Sequence, residues 1–170
     1  MTGVGPDRPG IVEGVSKILA EGGFNIEDSK MAVLGGRFAM LLSVSQIREG
    51  SAPLEERIPE MERESGLKFT FREFAAESSA VAGIPFRISG FSLDHPGIVH
   101  ALAREVADLG ANIEEMETTT RNAPVSGTPL FDVEMTISLP VEISIKRLRR
   151  SLEAVGEREN IDVSVEPADD

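Results

Sequence analysis

At 170 residues the chain has room for one or two domains, and its 41% hydrophobic content supplies a core and argues against wholesale disorder. A net charge of −12 and 5% aromatics, with no Trp or Tyr, disfavour direct nucleic-acid binding, which draws on clustered Lys and Arg and on stacking platforms. The absence of cysteine excludes disulfides and thiol chemistry, and no apolar run approaches the ~20 residues of a membrane span.

In chain order, Met1 to Val4 reads as the end of a strand and lacks the basic and apolar regions of a signal peptide, so a cytoplasmic location is expected. Asp7-Arg8-Pro9-Gly10 follows, then a helical face of Ile11, Val15, Ile18 and Leu19 that stops at Gly22-Gly23. Asn25 to Val33 reads as a strand, Gly35-Gly36 as a two-residue hairpin, and Phe38, Met40, Leu42 and Val44 as the alternating face of the next strand. Leu54, Ile58 and Met61 mark a second helix, in which Pro59 either delays the start or kinks the axis. Leu67, Phe69 and Phe71 alternate as a closing strand. The order is βαββαβ over residues 1–74, and the small, polar stretch 75–83 reads as a linker.

The remainder, 84–170, repeats that order. Asp94-His95-Pro96-Gly97-Ile98-Val99 restates Asp7-Arg8-Pro9-Gly10-Ile11-Val12 at an offset of 87 residues, Gly10 to Gly97. The same offset carries Gly3 onto Gly90 and Asn25-Ile26-Glu27 onto Asn112-Ile113-Glu114. The strand at Phe86 to Ser89 is fuller than its counterpart, so either the first copy has a stunted edge strand or the chain begins late in it. Ile98, Leu102, Val106 and Leu109 face one helix; Ala111 to Thr118 and Leu130 to Ser138 form the middle strands. Ile145, Leu148, Leu152 and Val155 face the last helix, Ile161, Val163 and Val165 the last strand, and 167–170 a frayed tail. Phe38 maps to Phe131 at an offset of 93, which places a six-residue insertion in the second hairpin, within 121–129. Such a repeat is too long for a solenoid. The fold class is therefore α+β: two ferredoxin-like units, each an antiparallel sheet with helices on one face. The bare sheet faces need cover, so the halves are expected to pack together or the chain to dimerise.

Each repeated turn has a chemistry of its own. Asp7 and Asp94 are candidate helix N-caps, with Pro9 and Pro96 at a helix start. Gly10 and Gly97 leave the first turn uncovered, so its N–H groups and the helix dipole favour a carboxylate or phosphate. Ordinary capping at a tight turn is the competing reading, which duplication weakens. Asn25 and Asn112 are equally readable as ligand amides or as left-handed turn residues.

Catalysis finds little support. His95 lies on the turn, where its titration can sense pH, and His100 reads as a surface helix residue; neither has a nucleophile beside it. Glu114, Glu115 and Glu117 form an acidic run, but strict strand alternation splits Glu114 from Glu115, so no metal site is expected. No cofactor is implied. The basic run Lys146-Arg147-Arg149-Arg150 reads as a solvated helix face.

Asp-x-Pro-Gly-Ile-Val followed by Gly-x-Asn-Ile, on a βαββαβ frame, resembles the ACT domain, a regulatory amino-acid-binding module. Two such domains without an attached enzyme, together with Ser126-Gly127-Thr128-Pro129-Leu130-Phe131, look like the glycine cleavage system transcriptional repressor family. The resemblance implies a ligand site between the first turn of one domain and the Asn-bearing strand start of a neighbour. It would comprise Asp7, Arg8, Pro9, Gly10, Asn25 and Ile26, and Asp94, His95, Pro96, Gly97, Asn112 and Ile113. It further implies a small amino acid such as glycine as ligand, homo-oligomerisation, and an anti-activator role exerted through a protein partner, a DNA-binding regulator. The alternatives are an oligomerising subunit with vestigial sites and, further off, a small-molecule enzyme.

Overall fold

A computed structural model describes residues 1–48, 50, 52–73 and 83–168. The chain divides into two compact units, Met1–Glu77 and Ser78–Asp170. Of the expected linker 75–83, only Gly83 lies within the described residues.

The first unit runs β1 (Thr2–Pro6), α1 (Ile11–Glu21), β2 (Phe24–Leu34), β3 (Arg37–Gln46), a 3-10 turn (Leu54–Arg57), α2 (Ile58–Ser65) and β4 (Lys68–Thr70). Its strands are antiparallel neighbours in the order β2-β3-β1-β4. The second unit runs β5 (Ile84–Leu93), α3 (Ile98–Asp108), β6 (Asn112–Asn122), β7 (Pro129–Leu139), α4 (Ile145–Glu159) and β8 (Asp162–Pro167), in the matching order β6-β7-β5-β8. In each unit the helices bury their apolar stripe against one sheet face. Ile11, Val15, Ile18, Leu19 and Met61 meet Phe38, Met40, Leu42 and Phe69; Ile98, Leu102, Val106, Leu148 and Leu152 meet Ile88, Val133, Met135 and Ile137.

The glycines shared at offset 87 have a steric cause. A Cβ on Gly3 would lie 2.5 Å from the Phe69 ring, and one on Gly90 would lie 2.8 Å from Val133 Cγ1. The innermost strand of each sheet is thus held close to a neighbouring core side chain.

Several expectations are corrected. β1 is short but not an edge: it lies between β3 and β4, and β2 and β4 are the edges. Pro59 delays α2, whose first residue is Ile58 after the 3-10 turn, and introduces no kink within a longer helix. Phe71 falls beyond β4. At the other end Pro167 belongs to β8 and the Ala168 N–H donates to Pro85 O at 3.2 Å, so the chain is held to that point. In the second hairpin the insertion becomes one extra strand pair, Asn122↔Pro129, and a loop over 123–128.

Candidate functional site

The two turns share one construction. The Asp7 N–H donates to Gly36 O (3.2 Å) and the Asp94 N–H to Pro129 O (3.0 Å), so each aspartate closes its strand against the neighbouring hairpin. α1 and α3 begin at Ile11 and Ile98, and the cap positions belong to Gly10 and Gly97, at φ +87° and +103° with no side-chain cap. Asp7 and Asp94 are therefore not N-caps: they stand three residues too early, and a left-handed glycine turns the chain into the helix instead. Pro9 and Pro96 precede the cap and lie outside the helix. A Cβ on Gly10 or Gly97 would meet nothing within 4 Å. The first-turn N–H groups have no intrahelical acceptor, although Ile11 and Ile98 themselves are buried.

Arg8 and His95, at one position of the repeat, reach the same target. The Arg8 guanidinium donates to Ser65 O through Nε (3.1 Å) and to Glu64 O through Nη2, at the C-terminus of α2. His95 Nε2 lies 2.9 Å from Glu159 O, at the C-terminus of α4. Positive groups at helix C-termini satisfy terminal carbonyls and oppose the dipole. These two side chains thereby tie each turn to the second helix of its unit.

Asn25 and Asn112 stand at the starts of β2 and β6, and neither adopts a left-handed backbone; Gly23 and Gly110, at φ +80° and +70°, do that work. Both strands carry a bulge just beyond, at Ile26/Asp28 and Ile113/Glu115. The extra residue is Glu27 in one and Glu114 in the other. Glu27 Oε1 accepts from Asn25 Nδ2 (2.9 Å) and from the Ser45 hydroxyl; Glu114 Oε1 accepts from the Ser138 hydroxyl. The Ser45 bond first, then the Asn25 bond, hold the Glu27 carboxyl below its ordinary value. The bulge also breaks the alternation expected at Glu114 and Glu115, and both side chains are exposed. These bulge glutamates and serines were not among the expected site residues. Their signal was present: Glu27 recurs at offset 87 and Ser45 at offset 93, the second-strand offset.

Within a unit, the turn and the strand start do not meet. β1 ends beside the β2–β3 hairpin, with Pro6 opposite Arg37, whereas Asn25 sits opposite Ser45 at the far end. Nine residues of extended chain separate Asn25 from Leu34, about 30 Å. The second unit repeats this separation, Leu93 opposite Leu130 and Asn112 opposite Ser138. Asp7, Arg8, Pro9 and Gly10 therefore form one cluster and Asn25 and Ile26 another; Asp94, His95, Pro96 and Gly97 are likewise apart from Asn112 and Ile113. Among the described residues, no group of three His, Asp or Glu is placed to hold a metal ion.

Residues 1–72 match one ACT domain family model and residues 95–166 match another. The chain belongs to the ACT-domain family. This tandem ACT protein is similar to the glycine cleavage system transcriptional repressor of Escherichia coli strain K12, at 22% identity over 155 residues, 91% of this chain and 82% of that one. It is also similar to a phosphoserine phosphatase of Mycobacterium tuberculosis, at 26% identity over 172 residues. That match takes in 98% of the ACT pair but 40% of the enzyme. The crystal structure of an unknown protein from Galdieria sulphuraria matches with a TM-score of 0.83 and 30% identity, covering 99% of this chain and 96% of that one. Among the described residues of the ACT pair, no helix is long and apolar enough to cross a membrane.

Proposed function

We propose that this ACT pair is a regulatory module that binds a small amino acid and acts through a protein partner, in a transcriptional setting, without catalysing a reaction. Glycine is the first candidate ligand and a DNA-binding regulator the candidate partner. The observation that carries this reading is the duplicated turn, a glycine-opened helix start built twice on an ACT frame. The relative named as a transcriptional repressor, which aligns along most of its length, points the same way.

The ligand's carboxylate would rest at the first turn of α1 or α3, where the exposed Val12 and Val99 follow the buried Ile11 and Ile98 and the helix dipole favours negative charge. Its ammonium would meet the Asn–Glu–Ser group at a strand start, where a carboxylate supplies the opposite charge. Because one unit holds these clusters about 30 Å apart along the strand, a shared site requires the turn of one copy beside the strand start of another. Homo-oligomerisation, which the family resemblance implies, is part of the proposal. Arg8 and His95 act here by fixing the turn rather than by touching the ligand.

A second reading has its own support: Arg8, His95 and Asn25 all have partners within the fold, as they would in an oligomerising subunit with vestigial sites. Calorimetric titration of the full chain with a panel of amino acids separates the two. A saturable, selective ligand supports the regulatory module; heatless titrations across the panel favour the structural subunit. Gly97→Val is a poor probe of this site, since a branched residue at φ +103° strains the turn itself.

A further inference from the structure

The geometry points to a docking face on the second unit that takes up an arginine-bearing segment of a partner protein, on the side of its sheet turned away from α3 and α4. Strand alternation puts Ser89, Phe91 and Leu93 of β5 on that side, since Ile88 and Gly90 face the core. Pairing then fixes their neighbours. Ser89 lies opposite Glu134 of β7 and Ser164 of β8, and Phe91 lies opposite Asp132 and Asp162. Glu134 is in turn opposite Glu117 of β6. On this face the carboxylates of Glu115, Glu117, Asp132, Glu134, Asp162 and Glu166 stand against two guanidiniums, Arg87 and Arg121.

The sheet itself does not need these acids. Asp and Glu are poor strand residues, and like charges directly opposite, as at Glu117 and Glu134, destabilise a strand pair. The first unit builds the same strands without them. Val4 stands where Phe91 does, with Ala39 and Lys68 at the places of Asp132 and Asp162. Leu41 takes the place of Glu134, and Lys30 that of Glu117. The acidic set therefore belongs to this face and not to the fold.

The face already holds one cation. Arg121 donates to both oxygens of Asp132, through Nε at 2.9 Å and Nη2 at 3.4 Å, and its guanidinium carbon lies 5.9 Å from the centre of the Phe91 ring. On the β8 side of Phe91 stands a second carboxylate, Asp162. Among the described residues, neither Asp162 nor Glu134 has an ion-pair partner. A hollow of about 240 Å³ opens there, lined by Ser89, Phe91, Glu134, Asp162 and Ser164 among others. A guanidinium suits it: planar against Phe91, donating to Asp162 or Glu134, with the serine hydroxyls as further acceptors. Phe91 and Leu93 are 43% and 61% exposed, so an apolar residue next to the arginine has a place to rest. Acids spread over four strands exceed the reach of a small cation. Their sign turns away nucleic acid, anionic lipid and the same face of a second copy. The occupant is thus a cationic, partly apolar protein segment. This inference rests on the reading that the chain acts through a protein partner, and not on the amino-acid site, which uses none of these residues.

The test is titration of the isotope-labelled full chain with the end-blocked peptide Leu-Arg-Ala-Arg. Saturable amide shifts are expected at Ser89–Phe91, Asp132–Glu134 and Asp162–Ser164, with the first unit unmoved. The peptide Leu-Gln-Ala-Gln should bind about tenfold more weakly or not at all, since its charge-assisted bonds are gone. The double variant Glu134→Gln, Asp162→Asn should weaken the arginine peptide by a similar factor without loss of melting temperature, because the first repeat folds with Leu41 and Lys68 at these places. Glu153→Gln, on α4, should change nothing. No saturable shift at millimolar peptide, equal binding of the glutamine peptide, or undiminished binding by the double variant would each overturn the docking face. Sedimentation decides the occupant: if the wild type self-associates and the double variant does not, the face takes up a second copy and the partner proposal fails. Amino-acid titration is independent of all these outcomes, and its failure would count against the proposed ligand alone.

Discussion

His95 places Nε2 2.9 Å from Glu159 O and Nδ1 3.2 Å from Pro96 O. Two carbonyl oxygens face the two ring nitrogens, and only an imidazolium donates to both. The Glu159 carbonyl, then the Pro96 carbonyl, accordingly raise the His95 pKa above its ordinary 6.5, with Glu159 and Asp94 adding their negative charge. A proton on this ring joins the turn before α3 to the end of α4.

That joint makes the second unit sensitive to pH. A group whose pKa is raised on folding contributes stability that is complete below its unfolded value, near 6.5, and is lost as pH rises through the folded value. Thermal melts of the wild type should therefore show this contribution below pH 6.5 and its loss as pH is raised above that value through the folded one. In His95→Arg, which installs the residue used at position 8, that pH dependence should disappear, since a guanidinium stays charged throughout the range. An unchanged pH profile in the variant would refute the assignment.

The carboxyl of Glu27 is held low chiefly by the Ser45 hydroxyl and secondarily by Asn25. Ser45→Ala should move its titration up toward 4.5, read from side-chain carboxyl shifts by NMR. The sign for stability is opposite to that of His95: the contribution is present above the unfolded pKa and fades as pH falls through the folded one.

Two glycines separate packing from propensity. Gly90→Ala drives a methyl to 2.8 Å from Val133 Cγ1 and should cost about 1–3 kcal/mol, as overpacked cores do. Gly14→Ala, inside α1 with nothing within 4 Å, should stabilise by about 0.5–1 kcal/mol, since glycine is a poor helix residue. Denaturant unfolding of both variants measures the contrast.

For the ligand site, Asn112→Ala should leave the circular dichroism spectrum intact. It should weaken amino-acid binding by roughly ten- to a hundredfold, the equivalent of one hydrogen bond to a charged group, about 1.5–3 kcal/mol. Full affinity in this variant would remove the strand start from the site.

Much of this architecture was legible because the chain states it twice. Ile11, Val15 and Ile18 against Ile98, Leu102 and Val106 identify the helices by period, and Phe38–Val44 against Phe131–Ile137 identify the inner strands by alternation. The position of β1 was not legible: the four residues Met1 to Val4 carry no alternation to say which neighbours they have, and only pairing decides. The cap was misread because Asp-x-Pro-Gly contains both a favoured capping residue and a glycine able to take positive φ. The turn chose the glycine. The work of Arg8 and His95 was hidden for another reason. Their acceptors, Ser65 O and Glu159 O, lie 57 and 64 residues away and are backbone atoms, which no side-chain pattern announces.

The five residues of β1 against the ten of β5 have a consequence for how the molecule comes apart. A central strand stitches both of its neighbours, so halving it removes cross-links from the whole sheet. The two sheets share a plan but differ in local cooperativity. Amide protons of β1, and of the β3 stretch beyond its pairing with β1, should exchange with deuterium at a lower opening free energy than those of β5, β7 and β8. Calorimetry should resolve two endotherms, the earlier belonging to residues 1–73.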